Sequence, residues 1–175
     1  MTQSVELLLD EELDAAVRAQ WATLAAAGLP SQARHTGETN RPHVTMTIAS
    51  SVQPYVEVAL KSALTGRLPI PVQLGGLLCL TARDGRQVLA RSVVPSVELL
   101  ELQAVAAELF ESEPGISDHL QPGGWSPHVT LAMKLSADQV GSALAVLGQN
   151  PDLIGSAVAI RRWDSDNRTA WQIAS

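Results

Sequence analysis

The sequence predicts an α+β fold with two lobes related by pseudo-twofold symmetry. In such a fold, two duplicated β-α-β-α-β units form antiparallel sheets that face a central cleft, with helices outside. The first observation behind this prediction is a tetrapeptide, Pro-His-Val-Thr, that occurs at residues 42–45 and again at residues 127–130. The second is that the shift between its two histidines, 85 positions from residue 43 to residue 128, also aligns other predicted elements. Together they indicate an internal duplication.

The first half opens with a predicted strand at residues 5–9 and a helix. Asp10 is suited to cap this helix, because its side chain can accept from the free N–H groups, and Glu11 and Glu12 favour the first turn. Apolar residues then recur at helical spacing until Gly28 ends the helix. These apolar positions are Leu13, Val17, Trp21 and Leu24.

The first tetrapeptide opens an alternating segment, residues 43–49. Alternation predicts that one set of side chains faces the core and the other faces away. The predicted core set is Val44, Met46 and Ile48, and the other set is His43, Thr45 and Thr47. Ser51 is predicted to cap a second helix that ends near residue 64. A hairpin follows, with strands near residues 72–82 and 87–94 and Asp84-Gly85 as its turn.

The second half repeats this order. Ser96 is predicted to cap a helix, and a loop rich in Gly and Pro leads into the alternating segment 128–135. The predicted core set of this segment is Val129, Leu131 and Met133. Ser136 and Gln139 form a capping box for another helix. The chain closes with strands near residues 157–163 and 170–173, joined by a turn at 164–167.

The 85-residue shift links further positions of the two halves. It carries Ser51 onto Ser136, and it carries the end of the first strand onto the end of the later one. We therefore predict a single bilobed domain over residues 1–175, with one repeat at about 4–83 and the other at about 86–175.

Composition and charge limit the classes of partner. Hydrophobic residues make up 46 % of the chain, which is typical of a globular protein. The formal net charge of −6 argues against a protein that holds long nucleic acid, although it leaves room for a small phosphate pocket. No segment is apolar enough for a membrane span, so we expect a cytoplasmic protein, and we expect a monomer. The single cysteine, Cys79, lies in an apolar run and is predicted to be a buried strand thiol.

The two tetrapeptides carry the predicted chemistry. Because residues i and i+2 of a strand share a face, His43 projects with Thr45, and His128 projects with Thr130. Two such pairs across a cleft suit in-line displacement at phosphorus: one imidazole removes a proton and the other supplies one. The threonine hydroxyls and backbone amides would bind the phosphate oxygens. This chemistry needs no metal and no cofactor, and we predict neither.

The paired motifs resemble the 2H phosphoesterase superfamily, the LigT-like or 2′-5′ RNA ligase-like group. Its hallmark is two His-x-Thr/Ser motifs, each followed by a hydrophobic residue, in a duplicated bilobed fold. The matching stretches here are residues 43–46 and 128–131. The resemblance implies that His43 and His128 are catalytic and that Thr45 and Thr130 bind phosphate. It also implies a metal-independent hydrolase that opens 2′,3′-cyclic phosphates on RNA ends or small nucleotides. By the same analogy, His43 is the proton donor and His128 the acceptor.

The sequence departs from the group after the second motif. Many members continue it as Thr-Leu-Ala-Arg, whereas this chain has Met133 in place of the arginine, followed by Lys134. Lysine offers a point charge where arginine offers a bidentate fork, so the substrate stays open. We name Lys134, Arg41 and Trp125 as possible cleft contacts. Trp125 has the alternative role of fastening its loop to the core.

For several other polar and aromatic residues, the sequence predicts a structural or solvent-exposed position. The final hairpin is predicted to carry a solvated basic face and two packing tryptophans. The basic residues are Arg161, Arg162 and Arg168, and the tryptophans are Trp163 and Trp171. His35 and His119 are predicted to be solvated loop residues.

Three alternatives to the phosphodiesterase stay open. The fold could serve as an RNA- or nucleotide-binding module without turnover, or it could run the reverse reaction, 2′-5′ RNA ligation. A two-histidine metal enzyme would need a third ligand, and the chain has no His-x-x-x-His pattern. For the phosphodiesterase itself, an ADP-ribose derivative is a further possible substrate.

Overall fold

The computed structural model describes residues 2–82 and 84–175, and in these residues it has four α-helices and seven β-strands. The α+β class is therefore confirmed. Short 3₁₀ helices at Gln32–Arg34 and Asp118–Leu120 lie in the loops before the two tetrapeptides. In chain order the elements are β1 (Gln3–Leu9), α1 (Glu11–Ala26), β2 (His43–Ala49), α2 (Pro54–Leu64), β3 (Ile70–Thr81), β4 (Gln87–Val93), α3 (Val97–Phe110), β5 (His128–Leu135), α4 (Ala137–Leu147), β6 (Leu153–Asp164) and β7 (Thr169–Ala174).

Three helices begin at the predicted caps. The Asp10 carboxylate accepts from the Leu13 N–H at 2.9 Å, Ser96 caps α3 in the same way, and Ser136 forms both bonds of the capping box. The prediction that Ser51 caps α2 is wrong. Gln53 occupies that position without a side-chain bond. Pro54 at the first helical position sets the start, because its missing N–H is one that a helix leaves unpaired there.

The strands form one hydrogen-bonded sheet in the order β2-β1-β6-β3-β4-β5, with β7 added to β6. All six ladders are antiparallel. The two halves join where β3 pairs with β6, and there Pro71 lies opposite Ser156. Their separation, 85 residues, equals that of the two motif histidines.

The two halves exchange their long strands. β1 and β2, from the first half, pair onward with β6 from the second half, and β4 and β5 pair onward with β3 from the first half. Each lobe of the sheet therefore contains strands from both sequence repeats. Helices also contact strands from the other half of the sequence: α1 contacts β5, and α3 contacts β2. The division of the sequence into halves and the division of the sheet into lobes therefore do not coincide.

Both motif strands contain a β-bulge directly after the His-Val-Thr triplet. Thr45 lies opposite Glu6 while Thr47 lies opposite Val5, so Met46 is the extra residue. In β5, Thr130 lies opposite Ala90 and Ala132 opposite Leu89, so Leu131 is the extra residue. A bulge shifts the side-chain alternation by one residue.

The bulges overturn part of the predicted alternation. Thr47 is fully buried and Ile48 only partly so, the reverse of the prediction. In β5 the core position passes to Ala132, which leaves Met133 49 % exposed. Val44, Met46, Val129 and Leu131 precede or form the bulges and lie in the core as predicted.

Two further predictions fail on burial. Cys79 is exposed, because from Gly76 onward β3 has no fully buried residue, so an apolar run there does not mean a covered strand. Arg161 and Arg162 do not form a solvated face: they are 6 % and 2 % exposed. Both arginines are held by carboxylates, Glu6 for Arg161 and Glu57 for Arg162, which is how a buried charge is accommodated.

Candidate active site

Two tryptophans form hydrogen bonds to the two motif strands, β2 and β5. The indole N–H of Trp21, on α1, donates to the carbonyl oxygen of Thr130 at 3.0 Å. The indole N–H of Trp125, in the loop before β5, donates to the carbonyl oxygen of Thr45, also at 3.0 Å. These carbonyls lie at the two bulges, where the strand ladder is interrupted. The reciprocal bonds bring the two His-Val-Thr segments together.

Both histidines are oriented by the same local contact. Nδ1 of His43 lies 2.7 Å from the carbonyl oxygen of Arg41, and Nδ1 of His128 lies 2.8 Å from that of Ser126. A carbonyl oxygen can only accept, so each Nδ1 carries a hydrogen. The hydrogen bond thus assigns the tautomer and leaves Nε2 of each ring as the atom that can take or give a proton.

The motif threonines, Thr45 and Thr130, have side-chain hydroxyls that can bind a ligand. Both residues are partly exposed, and within the described part of the chain neither Thr45 nor Thr130 uses its hydroxyl in a hydrogen bond. A partly exposed hydroxyl without a protein partner is available to donate to a ligand oxygen.

A buried carboxylate distinguishes the first histidine from the second. Oε1 of Glu6 lies 3.6 Å from Nε2 of His43, and Glu6 is only 3 % exposed. Its other oxygen, Oε2, accepts from Nε of Arg161 at 2.8 Å, and the Ser4 hydroxyl donates to Oε1 at 2.6 Å. A buried carboxylate thus lies close to the proton-transfer atom of the first motif.

The second half lacks this carboxylate. Glu6 lies opposite Thr45 in the β1–β2 ladder, and the residue opposite Thr130 in the β4–β5 ladder is Ala90. On the neighbouring long strand, Arg161 lies opposite Glu6, whereas Leu78 lies opposite Ala90. The two proton-transfer groups therefore sit in different electrostatic surroundings despite their matched backbone contacts.

Two cavities open beside the first motif. The larger, named here the His43 cavity, has a volume of about 750 Å³ and runs from His43 and Glu6 between the loop 32–41 and the β6–β7 hairpin. The smaller, about 170 Å³, is lined by both His43 and Thr130, together with Trp21 and Met133. The smaller cavity shows that side chains of both motifs face a common space. His128 and Thr45 line neither cavity.

The three residues that the sequence suggests as cleft contacts lie in different surroundings. Arg41 lines both cavities and pairs with Asp14, its Nε lying 3.3 Å from Oδ2. Trp125 packs against the core and holds the Thr45 carbonyl, which is the fastening role named as its alternative. Lys134 is exposed, has a positive φ of 61°, and lines neither cavity.

Most residues that line the His43 cavity were not among the site residues that the sequence suggested. They include Glu6, Arg161, Trp163 and Arg168. Glu6 carried a usable signal, since a lone acidic residue inside an apolar strand is seldom buried without a partner. Arg161, Trp163 and Arg168 gave none, because they lie far from β2 in the sequence. Only the pairing of β6 with β1 brings this hairpin to His43.

Two other kinds of feature are absent from the described residues. Over residues 2–82 and 84–175, no group of three or more His, Cys, Asp or Glu side chains is placed to hold a metal ion. No helix in the same residues combines the length and the apolar character that crossing a membrane requires.

Solved structures with the same fold cover nearly the whole chain. TT0787 of Thermus thermophilus is 15 % identical, with a TM-score of 0.58 over 98 % of this chain and 94 % of that one. Usb1 of Kluyveromyces marxianus with uridine monophosphate is 14 % identical, with a TM-score of 0.55 over 98 % and 97 %. LigT of E. coli complexed with 3′-AMP is 16 % identical, with a TM-score of 0.52 over 97 % and 91 %. At these identities the likeness shows the fold alone.

Sequence comparison gives the family. A search of the curated proteins finds no match. The family model described as the 2′-5′ RNA ligase superfamily matches residues 10–167, a span that includes both tetrapeptides and most of both halves. This chain therefore belongs to the 2′-5′ RNA ligase superfamily, the 2H phosphoesterases.

Proposed function

We propose that this protein is a metal-independent phosphodiesterase that opens 2′,3′-cyclic phosphates on RNA ends or small nucleotides. The observation that carries the proposal is the matched pair of Nδ1 contacts, His43 to the Arg41 carbonyl and His128 to the Ser126 carbonyl. These contacts leave two Nε2 atoms available for proton transfer, which is what a displacement with one general acid and one general base requires.

The reaction follows from these groups. Nε2 of His128 takes a proton from water as the water oxygen bonds to phosphorus. The bond from phosphorus to one ribose oxygen breaks, and that oxygen receives a proton from Nε2 of His43. The products are a phosphomonoester and a ribose hydroxyl. His128 then releases its added proton to solvent and His43 takes one up, which restores the starting state.

Glu6 supports this assignment of roles. Its carboxylate lies 3.6 Å from Nε2 of His43, and the second half has Ala90 at the corresponding ladder position. A carboxylate can only accept, so on this side it can pair with a hydrogen on Nε2, the hydrogen that a proton donor transfers. His128 has no carboxylate opposite it in its ladder, and we assign it as the proton acceptor.

Thr45 and Thr130 bind the non-bridging phosphate oxygens in this proposal. Their hydroxyls have no partner within the described residues. Preorganised donors stabilise the charge that builds on these oxygens in the transition state, which removes the need for a cation.

The ligands of the structural neighbours agree with a small phosphorylated substrate. The Usb1 structure contains uridine monophosphate, and the LigT structures contain 3′-AMP or phosphate. Each of these ligands carries a phosphate group, and two of them are nucleoside monophosphates.

The deciding experiment is hydrolysis of 2′,3′-cyclic AMP in the presence of excess chelator. We expect turnover to persist with chelator and to fall by at least about 10²-fold in His43→Ala and in His128→Ala. His119→Ala is the matched control, because His119 is an exposed loop histidine that lines neither cavity, and it should retain wild-type activity.

Other results would overturn the proposal. Complete inhibition by the chelator, reversed by a divalent cation, would show a metal enzyme. Calorimetric binding of the nucleotide without turnover would show a binding module. Formation of a 2′-5′ linkage from an RNA 5′-hydroxyl end, with no hydrolysis in water, would show that the ligation direction is the activity.

A further inference from the structure

The His43 cavity extends well past the proton-transfer group. One end is formed by His43 and Glu6, and the far wall by Trp163, Ser165 and Arg168 of the β6–β7 hairpin. A volume of about 750 Å³ exceeds what a cyclic phosphate alone would fill and falls in the range of small-molecule sites. The far end therefore has room for a second part of the substrate.

Trp163 faces this cavity by register. It lies opposite Ser4 in the β1–β6 ladder, as Arg161 lies opposite Glu6, so these four residues share the face that carries His43. Trp163 is partly exposed, and its indole N–H has no partner among the residues that the structure describes. The other three tryptophans each donate to a named acceptor: Trp21 to Thr130, Trp125 to Thr45 and Trp171 to Glu57. Trp163 therefore differs from the other three tryptophans, and it lines the cavity.

Three arginines line the cavity, and they differ in how they are paired. Arg161 is held by Glu6 and Arg41 by Asp14. Arg168 is exposed and, in the described part of the chain, makes no ion pair or side-chain hydrogen bond. It ends the hairpin turn with a φ of 52°, a left-handed conformation that non-glycine residues seldom adopt. This cation can bind an anion at the far end of the cavity.

The corresponding face of the second half is apolar. In the β3–β4 ladder, Leu78 lies opposite Ala90, where the first half has Arg161 opposite Glu6. Leu80 lies opposite Val88, where the first half has Trp163 opposite Ser4. At these ladder positions, the tryptophan and the arginine are therefore found on the His43 side, and apolar residues take their places on the other side. A site with this asymmetry can distinguish the two ends of a substrate.

We infer that the His43 cavity is a nucleoside subsite, in which the base stacks on Trp163 and Arg168 takes a second phosphate on the 5′ side of the ribose. The substrate class is then a nucleotide or RNA end with a 5′-side phosphate, in preference to a sugar cyclic phosphate without a base. The inference rests on the proposed function for the place of the cyclic phosphate between the histidines. It also agrees with the proton donor role of His43, since the leaving ribose oxygen must lie on the side of the nucleoside.

Three substrates separate the parts of this proposal: glycerol 1,2-cyclic phosphate, 2′,3′-cyclic AMP, and 2′,3′-cyclic AMP with an additional 5′-phosphate. Trp163→Ala should raise KM for the two nucleotides by about 5- to 150-fold, the range for loss of one base stack, and leave the glycerol substrate unchanged. Trp171→Ala is the matched control, because Trp171 lies on β7 and does not line the cavity. It should leave all three substrates unchanged.

Arg168→Gln tests the second phosphate. Wild type should prefer the 5′-phosphorylated nucleotide in kcat/KM by about 2- to 5-fold, and the variant should lose this preference. Arg86→Gln is the control, because it removes the same charge from an exposed arginine beside the other hairpin turn. A preference that survives in Arg168→Gln would overturn the role of Arg168.

Failure of the subsite and failure of the proposed function give different results. Equal loss on glycerol and nucleotide substrates in Trp163→Ala would show a structural role and overturn the subsite, and so would no loss on any substrate. If wild type opens none of the three, the proposed function fails, and the subsite is then decided by calorimetric binding of 2′-AMP. Binding that is weakened in Trp163→Ala and kept in Trp171→Ala supports the subsite, and equal binding in both overturns it.

Discussion

Oε1 of Glu6 lies 3.6 Å from Nε2 of His43, while the other oxygen of the same carboxylate is bound by Arg161. The Glu6 carboxylate therefore lies between Nε2 of His43, on β2, and the buried guanidinium of Arg161, on β6. In the second half, Ala90 occupies the corresponding ladder position, so His128 has no such carboxylate there.

Glu6→Gln should lower the turnover of 2′,3′-cyclic AMP. The substitution replaces the charged acceptor beside Nε2 of His43 with a neutral one, so kcat should fall by about 5- to 10-fold. Glu101→Gln, on the exposed face of α3, should leave kcat unchanged.

The same substitution leaves Arg161 without its partner, which destabilises a buried charge. The double variant Glu6→Gln/Arg161→Gln removes both charges and controls for this loss. If the double variant regains the wild-type kcat, Glu6 acts only through stability.

Trp125→Phe tests the bond between the loop and the first bulge. The substitution leaves the partly buried Thr45 carbonyl without its indole donor, so the free energy of unfolding should fall by about 1–3 kcal/mol, and kcat should fall with it as the Thr45 hydroxyl shifts. Trp171→Phe is the control, since the bond from Trp171 to Glu57 is exposed and should change stability by less than about 0.5 kcal/mol. Equal urea midpoints and equal kcat for the two variants would contradict the role of Trp125.

Gly155→Ala and Gly141→Ala should have opposite signs. A Cβ on Gly155 would lie 2.6 Å from Cγ of Leu13 and 2.6 Å from Oδ2 of Asp10, so the start of α1 must shift, at a cost of about 1–3 kcal/mol. Gly141 lies inside α4 with open space at the Cβ position, and alanine there should add about 0.5–1 kcal/mol. Urea unfolding of the two variants measures both, and a stabilised Gly155→Ala would refute the close contact.

Asp164 should contribute to stability in a pH-dependent way. The side-chain amide of Asn167 donates to its carboxylate, and with the backbone N–H groups of Asn167 and Asp166 it lowers the pKa of Asp164 below its ordinary value of 3.8. A lowered pKa in the folded state means that the contribution is complete above about pH 4 to 5 and is lost as the pH falls through the folded value.

Asp164→Asn should accordingly be less stable than wild type at pH 6, with the difference shrinking as the pH falls below about 4. Asp166→Asn changes an exposed carboxylate in the same turn and should follow the wild-type curve. A difference between Asp164→Asn and wild type that stays constant from about pH 6 to about pH 2.5 would show that the charge is not the cause.

The predicted elements follow from local signals and are largely confirmed. Asp10, Ser96 and Ser136 start their helices, and the strands beginning at His43 and His128 have the predicted bounds. Caps and alternation depend on residues within a few positions of each other, so they can be read from the chain. The positions of Thr47 and Met133 could not, because a bulge depends on how a strand pairs with a neighbour far away in sequence.

For the site, the amino-acid sequence is sufficient to identify the two His-Val-Thr triplets and the family. It also predicts the direction of the motif side chains, because strand geometry sets which neighbours share a face. The surroundings of His43, in contrast, depend on the fold. The exchange of β6 into the lobe of β1 and β2 brings Glu6, Arg161 and Trp163 to one histidine and leaves apolar residues near the other. A duplicated sequence predicts two equivalent halves, and the inequivalence arises from side chains that meet through non-local strand pairing.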